Sequence, residues 1–87
     1  MANVLILGAG TWGAVVANLL TTNGHNVTCW ARNKNLILKL NTEHVHEKLP
    51  NIIFSDKIQF TTDFESSFEN KDVIIYASVE MNKFINP

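Results

Sequence analysis

The sequence predicts an α/β protein, a doubly wound parallel sheet of about four strands in spatial order 3-2-1-4. Three observations carry that prediction. First, Gly8-Ala9-Gly10-Thr11-Trp12-Gly13 follows directly on the apolar run Val4-Leu5-Ile6-Leu7, a glycine-rich turn where a strand should hand over to a helix. Second, short apolar runs recur at Val27-Thr28-Cys29-Trp30 and Val73-Ile74-Ile75-Tyr76-Ala77, the pattern of strands buried on both faces of a parallel sheet. Third, segments with helical spacing separate the runs, so the chain reads βαβαβαβ. Right-handed crossovers then place the first strand near the centre. The arrangement is Rossmann-like and incomplete, since a full domain of that kind has about six strands.

Each element has a local reason. Asn3 to Leu7 is too short and too uniformly apolar for an amphipathic helix. The first helix follows the glycines, with Val15, Val16, Leu19 and Leu20 as its expected apolar face. Asn23-Gly24 supplies a left-handed stop. Asn33 is placed to cap a second helix whose inner side is Leu36, Ile37 and Leu40, and which fades near Asn41-Thr42. From Glu43 to Lys57 the pattern is poorly periodic and contains Leu49-Pro50; connections this long are often functional. Ile58-Gln59-Phe60-Thr61 alternates as a short third strand. Thr62-x-x-Glu65 has the form of a capping box, ahead of a brief helix in which Phe64 and Phe68 lie one turn apart. The fourth strand, residues 73–77, is expected to be buried on its faces but open along its hydrophobic edge, which favours self-association.

Composition narrows the function classes. At 87 residues the chain makes one small domain at most. A net charge of −1 with no basic patch argues against nucleic acid as a partner. The apolar stretches are too short to cross a bilayer, so no membrane partner is expected. Met1-Ala2-Asn3 lacks the basic region of a signal peptide, and the expected location is the cytoplasm. Cys29, alone and inside a strand, reads as a buried, inert thiol.

The chemistry lies in the glycine loop. Gly8 permits the tight turn, Gly10 lets backbone approach a pyrophosphate, and Gly13 lets the helix pack against the strand. The helix start presents free N–H groups and the positive end of its dipole to the phosphates. The expected partner is therefore a dinucleotide cofactor. His44 and His46 are two apart, without an acidic or thiol partner in a recognisable pattern, and no metal site is assigned. Glu65, Glu69 and Asp72 read as solvated or capping charges. No nucleophile–base pair is visible, and no catalytic residue is assigned.

Gly8 to Gly13, the turn Asn23-Gly24-His25-x-Val27 and the segment Trp30-Ala31-Arg32-Asn33 together resemble the amino-terminal domain of bacterial-type NAD(P)-dependent glycerol-3-phosphate dehydrogenase. That family has a glycine loop of the form GAG[ST][WF]G, then NGH, then W-[GA]-R. Leu49-Pro50 resembles its YLP segment, and Lys71-Asp72-Val73 with the following strand also fits, so the likeness covers most of residues 1–77. It implies reduction of dihydroxyacetone phosphate to sn-glycerol 3-phosphate for phospholipid synthesis, with NADP or NAD as cofactor. It implies nucleotide contacts at Thr11, Trp12, Arg32 and Asn33, beside the loop glycines. Lys48 stands in place of the family's tyrosine before Leu-Pro. Trp12 is then a cofactor-facing wall rather than a core anchor, and Thr11 either contacts phosphate or caps the helix, which are compatible.

NAD-specific sites commonly carry an acid at the end of the second strand; this chain has Arg32, Asn33 and Lys34 there, which tilts the expectation towards NADP. Residues 1–77 thus form a partial dinucleotide-binding domain. Residues 78–87 are expected to be a divergent tail, because Ala77-Ser78-Val79-Glu80-Met81 replaces the family's Val-Pro-Ser segment. The family's catalytic lysine lies in a helical second domain, expected to be absent, and Lys83 is not assigned its role. The chain alone is therefore expected to be inactive. Two alternatives stay open: a non-enzymatic nucleotide-binding remnant, and a fragment of another Rossmann reductase of the 3-hydroxyacid or ketopantoate type.

Overall fold

The computed structural model describes residues 1–77. Four strands, β1 (Asn3–Leu7), β2 (Asn26–Trp30), β3 (Gln59–Thr61) and β4 (Val73–Tyr76), form one sheet in the order β3-β2-β1-β4. Every pairing is parallel, with Leu5 opposite both Thr28 and Ile74. The connecting helices are α1 (Thr11–Thr22), α2 (Lys34–Glu43) and α3 (Phe64–Ser67). This is the doubly wound, Rossmann-like topology expected from the sequence. The tail expected at 78–87, and Lys83 with it, lies outside the described residues.

Side chains alternate across the sheet. Val4, Ile6, Val27, Cys29 and Phe60 face a core shared with Ala14 and Ala17 of α1 and Ile37 and Leu40 of α2. Leu5 and Thr28 alternate to the opposite face, where both are buried. The ladder runs on past the strand ends: Gly8 N–H donates to the Trp30 carbonyl at 2.7 Å, and Ala77 N–H to the Leu7 carbonyl at 2.9 Å. At the other end Asp72, expected to be a solvated or capping charge, accepts from the Asn3 N–H at 2.8 Å and pins β4 to β1.

The helix boundaries follow local chemistry. After α1, Gly24 takes φ 93°. Its N–H donates to the Thr21 carbonyl and that of His25 to the Leu20 carbonyl, the paired bonds of a Schellman stop. His25 adds an acceptor, its Nδ1 taking the Ala2 N–H at 3.0 Å and so fixing the chain just before β1. Asn33 caps α2 as expected, accepting from the Leu36 N–H at 3.1 Å.

Three expectations need correction. The inner face of α1 is Gly13, Ala14 and Ala17, with Val16 and Leu20 only partly buried, while Val15 and Leu19 are exposed. Helical spacing identified a helix, but the close approach allowed by small residues decided its rotation. The cap of α3 is Asp63, which accepts from the Ser66 N–H, rather than Thr62. The hydroxyl of Thr61 engages Asp63 N–H instead, which sets the turn one residue later. β4 forms, but Val73, Ile74 and Tyr76 are exposed. It is the outermost strand among the described residues, and α3, four residues long, packs beside β2 instead. The segment after α2, which has no regular period, is nonetheless firmly attached. Phe54 is 2% exposed and donates its N–H to the His44 carbonyl at 2.8 Å. Ser55 N–H donates to Asn18 Oδ1 at 2.9 Å, tying the segment to α1.

Candidate dinucleotide-binding site

The site sits outside the carboxyl ends of the strands, beside β1, which has β2 on one side and β4 on the other, a position open α/β sheets offer to ligands. Three glycines shape it for different reasons. Gly8 has φ 119°, a backbone conformation that side chains rarely adopt. A Cβ on Gly13 would overlap the Gly8 carbonyl oxygen and meet Ala77 Cβ at 3.4 Å, so glycine here sets how closely α1 approaches the turn. Gly10 is the N-cap of α1 at φ −69° and ψ −175°, extended backbone that any residue adopts. Its conformation does not require a glycine, so any requirement must come from what approaches it.

Gly10 provides no side-chain cap for α1. The first helical bond runs from the Ala14 N–H to the Gly10 carbonyl at 2.9 Å. The N–H groups of Thr11, Trp12 and Gly13 therefore precede the helical ladder, and the positive end of the helix dipole lies with them. Thr11 is the first helical residue, not the cap.

Beside the loop lies a cleft of about 740 Å³, within the range of about 300–1,000 Å³ usual for small-molecule sites. It brings together Gly8 and Gly10 from the loop with Arg32 and Asn33 from the end of β2. Its apolar walls are Leu7, Leu36, Phe64 and Tyr76. The remaining candidates lie apart from this cleft: Thr11 and Trp12 are exposed at the start of α1, and Gly13 is buried beneath the loop. Trp12 is 62% exposed, which removes the core-anchor reading. Asn33 commits its side-chain oxygen to capping α2, which holds the Arg32 backbone at the rim.

Two functional neighbours escaped the sequence reading. Phe64 lines the cleft and meets Trp30 edge to face, centroids 4.9 Å apart. Trp30 is itself oriented by its Nε1–H, which donates to the Thr62 carbonyl at 3.0 Å. The spacing of Phe64 and Phe68 identified a helix but carried no sign of a wall. His46 is buried and reaches the Ala9 carbonyl; weighed against metal-ligand spacing, it gave no signal of that role. Cys29 lies under the loop with its Sγ 3.6 Å from the Gly8 carbonyl. Burial pushes its thiol up to about 12, the inert behaviour expected.

Known proteins match both the sequence and the fold. The profile of the family described as NAD-dependent glycerol-3-phosphate dehydrogenase N-terminus matches residues 3–84. A glycerol-3-phosphate dehydrogenase [NAD(P)+] of Bacillus subtilis is 42% identical over 78 residues, covering 88% of this chain and 23% of the relative. That of Limosilactobacillus reuteri is 40% identical over 73 residues, covering 83% and 22%. The crystal structure of glycerol-3-phosphate dehydrogenase from Coxiella burnetii superposes with a TM-score of 0.80 at 27% identity, covering 88% of this chain and 24% of that one. The chain thus spans under a quarter of the length of these relatives. On the extent of the family match, and on the sheet order and glycine turn that accompany it, this chain belongs to the NAD-dependent glycerol-3-phosphate dehydrogenase N-terminal family.

Proposed function

We propose that the chain is the cofactor-binding portion of a glycerol-3-phosphate dehydrogenase, holding NADP or NAD for the reduction of dihydroxyacetone phosphate to sn-glycerol 3-phosphate. The observation that supports this most is Gly10: a glycine in unstrained backbone, at the bare start of a twelve-residue helix, on the rim of the cleft. Backbone that can be approached this closely, beside N–H groups outside the helical ladder, suits a pyrophosphate. The Arg32 guanidinium at the rim suits a 2′-phosphate through parallel hydrogen bonds, or an adenine through stacking. The residues present therefore fit a dinucleotide. The nicotinamide supplies the hydride, while this chain's part is to bind and orient. Thr11 and Trp12 belong to the same proposed site, on the helix side of the loop, with Gly8, Gly13 and Asn33 as its supports. No catalytic group is assigned among the described residues.

The test is calorimetry of the chain with NADPH and NADH, before and after Gly10→Val. The valine suits the backbone angles but fills the space of approach. Binding should fall at least about tenfold while the fold persists, the loss expected when charge-assisted contacts are blocked. Equal affinity in both proteins would rule out pyrophosphate binding at this loop.

Two finer assignments accompany this reading. The location is the cytoplasm; no helix among the described residues is long and apolar enough to cross a membrane. The second is self-association through β4. Among the described residues β4 is the outermost strand on its side, and its Val73, Ile74 and Tyr76 are exposed, an arrangement that recruits another strand.

A further inference from the structure

His46 is 2% exposed and contacts the glycine loop from 37 residues away in sequence. Both ring nitrogens are engaged. Nδ1 faces the Lys48 N–H at 3.1 Å and must accept from it. Nε2 lies 3.1 Å from the Ala9 carbonyl oxygen and must then carry the hydrogen and donate. The ring is thus specified as the neutral Nε2–H tautomer. Its support is rigid: Leu49 N–H donates to the His46 carbonyl at 2.9 Å, and buried Phe54 closes the segment on His44.

The target of this bond matters. The peptide joining Ala9 to Gly10 turns about ψ of Ala9 and φ of Gly10, and the glycine on its far side lets it turn over at small steric cost. That peptide is planar and trans, so its carbonyl and the Gly10 N–H point in opposite directions. Holding the carbonyl towards His46 holds the Gly10 N–H away from it, beside the amides that begin α1. We propose that His46 is a positioning residue for dinucleotide binding: it fixes the orientation of the Ala9–Gly10 peptide and so aims the loop amides at the diphosphate. This rests on the cofactor reading above, and it gives the segment between α2 and β3 a role in affinity without contact to the ligand.

The test compares wild type, His46→Leu and His46→Gln in the intact chain. Leucine keeps the bulk and loses the donor; the glutamine amide restores a donor at about the reach of Nε2. Calorimetry with NADPH should show affinity lower by about tenfold in the leucine variant, the scale of one lost hydrogen bond to a buried carbonyl, and restored in the glutamine variant. The Gly10 amide resonance of the unliganded chain should move with leucine and return with glutamine. A purely structural role would lower Tm while leaving both readings unchanged, and that result overturns the proposal. If the leucine variant fails to fold, nitrogen shifts of His46 in wild type decide: an Nε2–H ring with and without NADPH supports the proposal, and any other form in the bound state overturns it. Wild type without NADPH affinity overturns the cofactor reading itself, whereas equal binding by wild type and the leucine variant overturns only the role of His46.

Discussion

Cys29 has no exposed surface, and its Sγ lies 3.6 Å from the Gly8 carbonyl oxygen. Burial denies a thiolate its hydration, so the thiol rises from 9.0 to about 12. Its unfolded form ionises near 9.0, so between that pH and about 12 the unfolded chain holds fewer protons than the folded one. Stability from this group is therefore complete below pH 9.0 and lost as the pH rises through about 12. The slope approaches about 1.4 kcal/mol per pH unit. Thiol reagents at neutral pH should label Cys29 only at the rate of unfolding; labelling of the native chain at the rate of a free thiol would contradict this burial. Arg32 carries the other residue-scale prediction. If its guanidinium reads a 2′-phosphate, Arg32→Ala should shrink the preference for NADPH over NADH by about tenfold, one charge-assisted contact. Parallel titrations of the two cofactors measure the ratio, and an unchanged ratio would leave Arg32 with stacking alone.

At the scale of elements, α2 depends on the residue that caps it. Asn33 accepts from the Leu36 N–H, satisfying one of the donors that a helix start leaves over. Asn33→Ala should cost about 1 kcal/mol, read as a lower denaturation midpoint at unchanged m-value. The consequence extends past the helix, because the same turn holds Arg32 at the cleft rim. Cofactor affinity should therefore fall along with stability, and a loss of stability alone would show that the rim keeps its shape without the cap. The segment between α2 and β3 behaves differently from an ordinary connection. Phe54, Ile58 and His46 are buried along it, and Asn18 of α1 holds its backbone. It acts as a packed layer under the glycine loop, with order supplied by side-chain anchors in place of regular hydrogen bonding.

At the scale of the whole fold, the sheet is covered unevenly by the described residues. One face is closed by α1, α2 and the attached segment, while Ile74 and Tyr76 on the other lie open beside Leu5 and Leu7. α3 reaches only the neighbourhood of β2. An exposed apolar edge of this kind should make the chain self-associate. Sedimentation velocity over a range of concentrations should show species larger than the 9.8 kDa monomer. Ile74→Lys places a charge on that surface and should return the chain to monomer, as natural edge strands do with lysine. Monomer at every concentration in the unaltered chain would remove β4 as an interface.

The sequence by itself determined the order of elements, the parallel sheet, the glycine turn and the caps at Asn33 and Gly24. Each of these depends on interactions within a few residues: apolar period, backbone freedom at glycine, and side-chain oxygens within reach of a helix start. It also placed Gly8, Gly10, Arg32 and Asn33 in the cleft, because the ends of adjacent parallel strands must lie together once the order is known. The tertiary structure alone decided which side of α1 faces inward, where Gly13 admits the Gly8 carbonyl and Ala14 and Ala17 let the helix come close. It alone decided that β4 is paired yet uncovered, since coverage depends on elements distant in the chain. And it alone brought His46 to Ala9 and Phe64 to Trp30. Such contacts depend on chain segments tens of residues apart meeting in space, and no local pattern of residue types records that meeting.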